Sequence, residues 1–214
     1  MKNLILLISV LLLTSCYDNI KEVSPPYYQF IEEDLDKLLT YEVDQIITYK
    51  NENNEERKYI VTSVETEKED YGCCATFGPP SPYTVFYYYD IKKIEFQKFP
   101  NGGDYWYYYF TRKPPFVSEP DVISKFYGSI NEFPFWNGQL SDGDYSYINY
   151  YSVIDYNQTP ILMEVNGHEF SKVHIVNSDN PDIDNSNVNV IYFDEVEGII
   201  GFDDLENNKW RIVI

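Results

Sequence analysis

Apolar positions along the chain follow two spacings, one helical and one strand-like. Between 28 and 40, apolar residues recur on one helix face, and acidic residues fill the first turns, where the helix dipole favours negative charge. The apolar residues of this face are Ile31, Leu35, Leu38 and Leu39. The pattern predicts one short amphipathic helix over 28–40. From Asp44 onward, apolar and polar residues alternate with period two, which is typical of strands with one buried face.

Polar turns separate the predicted strands. A charged turn at 51–55 joins 46–49 to 58–64 as a hairpin. Later strands are predicted at 83–99, 105–111, 145–156, 161–165, 168–176, 188–193, 198–202 and 210–214. Residues 121–136 fit either a strand or irregular chain.

The strongest hairpin signal is Asn166-Gly167, because both residues tolerate the positive φ of a type I′ turn. Replacing Gly167 with Val should therefore destabilise the domain by roughly 1–3 kcal/mol. The same change at Gly102, in the looser 101–104 turn, should cost less. Short connections favour antiparallel pairing, and no βαβ alternation is visible. The chain is thus predicted to be mostly β, a single antiparallel sheet domain over 28–214 (meander, barrel or half-barrel) with one short N-terminal helix.

The first sixteen residues have a pattern of their own. After Met1-Lys2-Asn3 comes a run of ten apolar or small residues, Leu4 to Leu13. A membrane-spanning helix needs roughly 20 apolar residues, so this run has the length of a signal peptide and not of an anchor helix. The sequence then reads Leu13-Thr14-Ser15-Cys16, with small residues directly before a cysteine.

This N-terminus resembles the lipobox of bacterial lipoproteins. The resemblance implies that the Cys16 thiol is alkylated by a diacylglyceryl group, that signal peptidase II cuts before Cys16, and that the new amine is acylated. It divides the chain into a signal peptide (1–15), a lipidated N-terminus and polar tether (16–27), and the domain. Two or more acyl chains hold a protein stably on a membrane. Tyr17 stands where Asp often marks inner-membrane retention, which favours the outer membrane. The alternative is an ordinary secretory signal that happens to contain a cysteine.

Charge and composition limit the partners. The chain has 35 acidic and 16 basic residues, a net charge of −19, and no basic stripe, so we expect no nucleic-acid partner. Attraction to a membrane must come from the lipid on Cys16. Such acidity serves solubility or attracts a basic partner. The 22 tyrosines favour half-wet sheet faces, and aromatic rings also stack on sugars.

Chemistry-bearing residues are few. Cys73-Cys74 reads either as two unpaired thiols in a Gly/Pro loop or as a strained vicinal disulfide. A metal shared by His168 and His174 would need a carboxylate neighbour, and their Cα atoms would lie about 20 Å apart along a strand, which favours solvent-facing or packed histidines. A catalytic pair of one of these cysteines with one of these histidines stays open, although no spacing argues for it. The oxygen-rich loop 179–187 could attract calcium, but Asn187 and Phe193 occupy the EF-hand glycine and glutamate positions, which favours a solvated loop.

The C-terminal stretch, from Tyr192-Phe193-Asp194 through Gly198-Ile199-Ile200-Gly201-Phe202-Asp203 to Trp210-Arg211, resembles the endings of small Gram-negative envelope lipoproteins of unknown function. The resemblance covers about 25 residues and implies a closing antiparallel sheet and an envelope location, but no catalytic residue.

We therefore expect an envelope lipoprotein that is a non-enzymatic binding or interaction module, with no catalytic residue, cofactor or metal. No serine-nucleophile, zinc or phosphate-loop motif is present. The alternatives are a module that binds a glycan or a small apolar ligand among its aromatic side chains, and an immunity-type protein that neutralises a basic toxin.

Overall fold

The computed structural model describes residues 24–73, 84–103, 105–114, 124–133, 151–177, 188–204 and 206–214. Within them lie one helix, α1 (Glu32–Leu35), and twelve strands. The strands are β1 (Tyr27–Tyr28), β2 (Ile46–Lys50), β3 (Glu56–Cys73), β4 (Thr84–Phe99), β5 (Tyr105–Lys113), β6 (Lys125–Asn131), β7 (Tyr151–Ile154), β8 (Ile161–Val165), β9 (His168–Asn177), β10 (Val188–Asp194), β11 (Gly198–Asp204) and β12 (Lys209–Ile212). The predicted mostly β fold with one short helix is confirmed.

All strands belong to one sheet, in the order β7-β6-β5-β4-β3-β2-β12-β11-β10-β9-β8. Neighbours on this path are antiparallel, and β1 lies parallel to β4 off the path. The last strand, β12, pairs with both β2 and β11 and so joins the two halves of the chain. The outer strands of this order, β7 and β8, do not pair with each other in the described residues, so the sheet is an open one.

The sheet curls so that its inner face packs against itself. The hydroxyl of Tyr108 on β5 accepts a hydrogen bond from the backbone N–H of Ile199 on β11 at 2.8 Å. Aromatic rings fill the space between: Phe96 stacks on Trp106 with ring centres 3.9 Å apart, and Trp106 contacts Phe133, which in turn contacts Phe202. These side chains are at most 1% exposed. The inside of the curl is therefore a packed core.

The helix predicted over 28–40 is wrong in length, because only Glu32–Leu35 is helical. Tyr27 and Tyr28, the latter inside that range, pair with β4 instead. The would-be apolar face does not stay together: Leu39 is buried, whereas Leu35 is 57% exposed. A four-residue helix has little intrinsic stability, so tertiary contacts decide the path of this segment.

The strand predictions agree closely with the structure. The turn at 51–55 joins β2 to β3, and 121–136 contains a strand, β6. Asn166 and Gly167 have φ of 52° and 80°, as the predicted type I′ turn requires. The main difference is β3, which continues past the predicted end at 64 to Cys73. Of the strand predicted at 145–156, the part 145–150 lies outside the described residues.

Candidate binding surface

The two longest strands form a projection, which we call the arm. Strands β3 and β4 have 18 and 16 residues, but β2 pairs with β3 only up to Ile60, and β5 pairs with β4 only from Ile91. The arm consists of residues 68–73 and 84–90, which pair with each other beyond both neighbours. A lone two-stranded hairpin is marginally stable, so further contacts must support it.

Strand β1 supplies part of that support on one side of the arm. Tyr27 and Tyr28 pair with Tyr88 and Tyr89 of β4, and the Tyr88 N–H donates to the Pro26 carbonyl at 2.8 Å. The carboxylate of Asp90 accepts hydrogen bonds from the Tyr27 hydroxyl and the Phe30 N–H. The entry of the chain into the sheet is thus fixed along the β4 edge of the arm.

One face of the arm continues onto β5 and β6 and carries a series of tyrosines, which we call the tyrosine face. Side chains alternate along a strand, so every second residue of β4 and β5 points to this side. Tyr71 and Tyr87 stack at 5.1 Å, and Tyr28 meets Tyr87 edge-on at 5.6 Å. The members of the face are Tyr28, Tyr71, Tyr87, Tyr89, Tyr105, Tyr107, Tyr109 and Tyr127.

Accessibility varies along the tyrosine face. Tyr105 is 58% exposed and Tyr71 is 40% exposed, whereas Tyr87 and Tyr89 are each 7% exposed. The accessible rings therefore lie at two places, near the start of β5 and on β3 of the arm. The buried Tyr87 ring contacts Tyr28, Tyr71 and Tyr89, so packed neighbours support the accessible Tyr71 ring.

Carboxylates lie beside these hydroxyls. The Tyr89 hydroxyl donates to Glu69 at 2.7 Å. Burial and this hydrogen bond raise the pKa of Tyr89 well above its ordinary value. A hydrogen bond to Glu132 raises the pKa of Tyr105, and burial raises the pKa of Tyr109 to about 12. These hydroxyls therefore stay protonated near neutral pH, and the surface offers flat rings, O–H donors and carboxylate acceptors together.

A lysine also takes part in the tyrosine face. The Lys93 ammonium lies 4.6 Å from the centre of the Tyr107 ring and forms an ion pair with Glu95. Burial alone would lower the pKa of Lys93, but the Glu95 hydrogen bond and the negative charges of Glu95 and Glu65 outweigh it, and the pKa is raised. Aromatic rings beside charged and hydrogen-bonding groups are the composition of many protein-binding and sugar-binding surfaces. Sequence reasoning noticed the tyrosines but could not place them on one side of the sheet.

The histidines named from the sequence lie apart from this surface. His168 packs its ring on Phe170, while His174 is 3% exposed and bonds Glu195 at 2.8 Å. No group of three His, Cys, Asp or Glu residues suited to a metal ion occurs among the described residues.

Several of the sequence predictions fall outside what the structure describes. Cys16 and the signal sequence, Cys74, the side chain of Cys73 and the loop 179–187 all lie there. The backbone of Cys73 pairs with Thr84 at the far end of the arm.

A concave feature apart from the arm lies where β2 and β8 end, beside β12. It encloses about 520 Å³ and is lined by Lys50, Asn51, Glu52, Asn54, Asn166, Lys209, Arg211, Val213 and Ile214. Its polar groups are largely engaged by the protein itself: Glu52 accepts the Lys209 N–H, and Asn166 donates to the Ile212 carbonyl. Lys50 and Arg211 form ion pairs with Glu56 and Asp203. We therefore place the candidate surface at the tyrosine face.

Comparisons with known proteins give no relative: no family model, curated protein or solved structure matches this chain. Among the residues that the structure describes, no helix has the length and apolar character needed to cross a membrane.

Proposed function

We propose that this chain is a lipoprotein of the bacterial cell envelope, anchored through lipid on Cys16, and that it acts as a non-enzymatic binding module through its tyrosine face. The observation that carries the binding proposal is the set of accessible tyrosines on the arm and β5, with carboxylates between them. Tyrosine is enriched at recognition surfaces because its ring contributes area and its hydroxyl a hydrogen bond.

The position of β1 agrees with this arrangement. Tyr27, the first residue of the sheet, follows Cys16 by eleven residues, which can span at most about 40 Å when extended. Because β1 lies on the arm, the anchor would hold the tyrosine face near the membrane surface. The membrane that we propose is the outer membrane.

Of the alternatives, a glycan ligand is the one that the tyrosine face also favours, because rings stack on sugars while carboxylates accept from sugar hydroxyls. A small apolar ligand inside the curl is less well supported, since the described inner side chains fill that space with one another. The immunity-type alternative rests on the acidic charge of the chain.

The anchor is tested by replacing Cys16 with Ser and growing both strains with a labelled fatty acid. We expect label on the parent and none on the variant, because the thiol is the attachment point. Equal labelling of the two proteins would contradict the anchor.

The binding surface is tested by placing a photo-crosslinking residue at Tyr105 in cells that make the protein. The matched control position is Val196, which is 61% exposed compared with 58% for Tyr105 and lies in the β10–β11 turn. We expect an adduct from position 105 and none from position 196, and mass analysis will distinguish a peptide from a sugar. Equal adducts, or none at either position, would count against the tyrosine face as the binding surface.

A further inference from the structure

The two edges of the arm differ. On the β4 side, β1 and then β5 occupy the edge. On the β3 side, β2 ends its pairing at Ile60, and the last backbone bonds join Val61 to Asp44 and Gln45. Beyond Val61, no strand among the described residues pairs with this side of β3. We call residues 62–69 of β3 the open edge, and at strand rise it is about 25 Å long.

An open edge presents backbone N–H and C=O groups to any extended chain of suitable charge. Folded proteins commonly block such edges with lysine, proline or short strands. The open edge is long and contains no proline, and its one basic residue is Lys68. That ammonium is turned onto the rings of Tyr88 and Tyr27, 3.8 and 4.5 Å from their centres.

The charge of the open edge is negative and falls on one face. Glu65, Glu67 and Glu69 alternate along β3, so their side chains project from the same side of the strand. Their pairing partners on β4 are Lys93, Ile91 and Tyr89. Only the first of these is basic: Lys93 forms an ion pair with Glu95 and also interacts electrostatically with Glu65, so it offsets only part of the charge of the three glutamates. A strand added to the open edge would therefore face these carboxylates.

We propose that the open edge binds an extended basic polypeptide segment as an added antiparallel strand, with Lys or Arg at every second position facing Glu65, Glu67 and Glu69. This inference rests on the proposed function and names the class of partner. Opposite charges across neighbouring strands stabilise pairing, and like charges oppose it. A second copy of this chain would place glutamate against glutamate, so the charge favours a basic partner over self-pairing. The added strand would also widen the arm on the side opposite β1.

The test uses the full chain in detergent and a synthetic octapeptide in which Lys and Thr alternate. Binding is measured by calorimetry, and amide hydrogen exchange locates it. The first control peptide has the same composition with its lysines in one block. Two further peptides carry N-methyl groups on every second backbone nitrogen, one on the odd-numbered and the other on the even-numbered residues. Each lacks half of the backbone hydrogen-bond donors but keeps the full charge.

We expect the alternating peptide to bind and to slow exchange within residues 62–69, and the block peptide to bind more weakly. One of the two N-methylated peptides should lose binding. Changing Glu65 and Glu67 together to Lys should weaken binding by about 10-fold or more, because two attractive cross-strand pairs become repulsive. The matched control changes Glu164 and Glu169 to Lys, since these exposed residues form a cross-strand pair on β8 and β9 and alter net charge equally.

Three results would overturn the proposal. The first is no binding of the alternating peptide, and the second is equal binding of both N-methylated peptides, which would indicate charge attraction without strand addition. The third is concentration-dependent dimerisation that protects residues 62–69, which would make a second copy the occupant. Each can occur while the Tyr105 crosslink is still observed, so failure of this inference is distinguishable from failure of the proposed function.

Discussion

Replacing Gly198 with Ala should be among the most destabilising single changes in this domain. Gly198 begins β11 with φ of +80°, and a Cβ there would lie 2.5 Å from the Tyr41 hydroxyl and 2.6 Å from the Tyr108 hydroxyl. Those hydroxyls hold the adjoining backbone, since Tyr41 donates to the Glu197 carbonyl and Tyr108 accepts from the Ile199 N–H. The added methyl group must displace at least one of them.

The magnitude follows from two effects. Holding a non-glycine residue in the left-handed region costs roughly 1–2 kcal/mol. Losing the buried hydrogen bond and leaving the Ile199 N–H without a partner costs roughly 1–3 kcal/mol more. We therefore expect Gly198→Ala to lower the free energy of unfolding by about 2–5 kcal/mol.

The chain provides a matched control in Gly167. Its φ is also +80°, but no atom lies within 4 Å of a Cβ built there. Gly167→Ala should therefore show the backbone cost alone, roughly 1–2 kcal/mol. Urea denaturation followed by circular dichroism measures both variants. Adding Tyr108→Phe to Gly198→Ala should cost less than the two single changes together, because the smaller side chain makes room.

If Gly198→Ala and Gly167→Ala unfold with the same free energy, the tyrosine hydroxyls do not pack against Gly198 as described. Strict additivity in the Tyr108→Phe double variant would lead to the same conclusion.

Three further predictions follow from the buried polar groups and the topology. Asp34→Asn should cost about 3 kcal/mol in urea denaturation, because the Asp34 carboxylate is 2% exposed and both its oxygens accept from Arg112, whose charge would then have no carboxylate and only the neutral Ser124 acceptors; Glu33→Gln on the same helix should change little. Burial alone would raise the pKa of Asp204, but hydrogen bonds from Asn208 and Trp210 outweigh it and the pKa is lowered. A carboxylate with a lowered pKa in the folded state stabilises the protein fully above the ordinary Asp pKa of about 4, and this stabilisation is lost as the pH falls through the lowered pKa. The free energies of unfolding of the parent and of Asp204→Asn should therefore converge on acidification. Because β12 joins the two halves of the sheet, thermal unfolding should be one cooperative transition, and two separate transitions would contradict a single domain.

Local sequence determined the strands and most of the turns correctly, because both depend on neighbouring residues. Asn166-Gly167 adopts its turn because these two residues themselves tolerate positive φ. Within the predicted strand 83–99, Ile94 and Phe96 alternate with polar residues, and both are buried. The helix predicted over 28–40 is too long because long-range contacts, and not only the helical spacing of its apolar residues, decide the conformation of this segment. Asp34 binds Arg112, which is 78 residues away, and the residues near Asp34 in the sequence do not indicate this partner.

The length of β3, and with it the arm, could not be predicted for a related reason. Residues 65–70 read Glu-Thr-Glu-Lys-Glu-Asp, which has no apolar alternation and is rich in residues that strands disfavour. They form a strand because β4 lies beside them, with Lys68 opposite Asp90 and Glu69 bonded to Tyr89. A pairing of this kind depends on the partner strand. The same holds for β12, whose position between β2 and β11 follows from no local signal.

The tyrosine content has two separate explanations in this fold. Inside the curl, Tyr49 donates to the Ile199 carbonyl and Tyr108 accepts from the Ile199 N–H, so two buried tyrosines hold both polar groups of one residue. Burial raises the pKa of both well above its ordinary value, which keeps them neutral in the core. These tyrosines need no ligand to account for them. Packing does not account in the same way for Tyr105 and Tyr71, which are 58% and 40% exposed. Composition alone could not separate the two groups, whereas their positions on the sheet do, and the proposed binding function rests on the outer group.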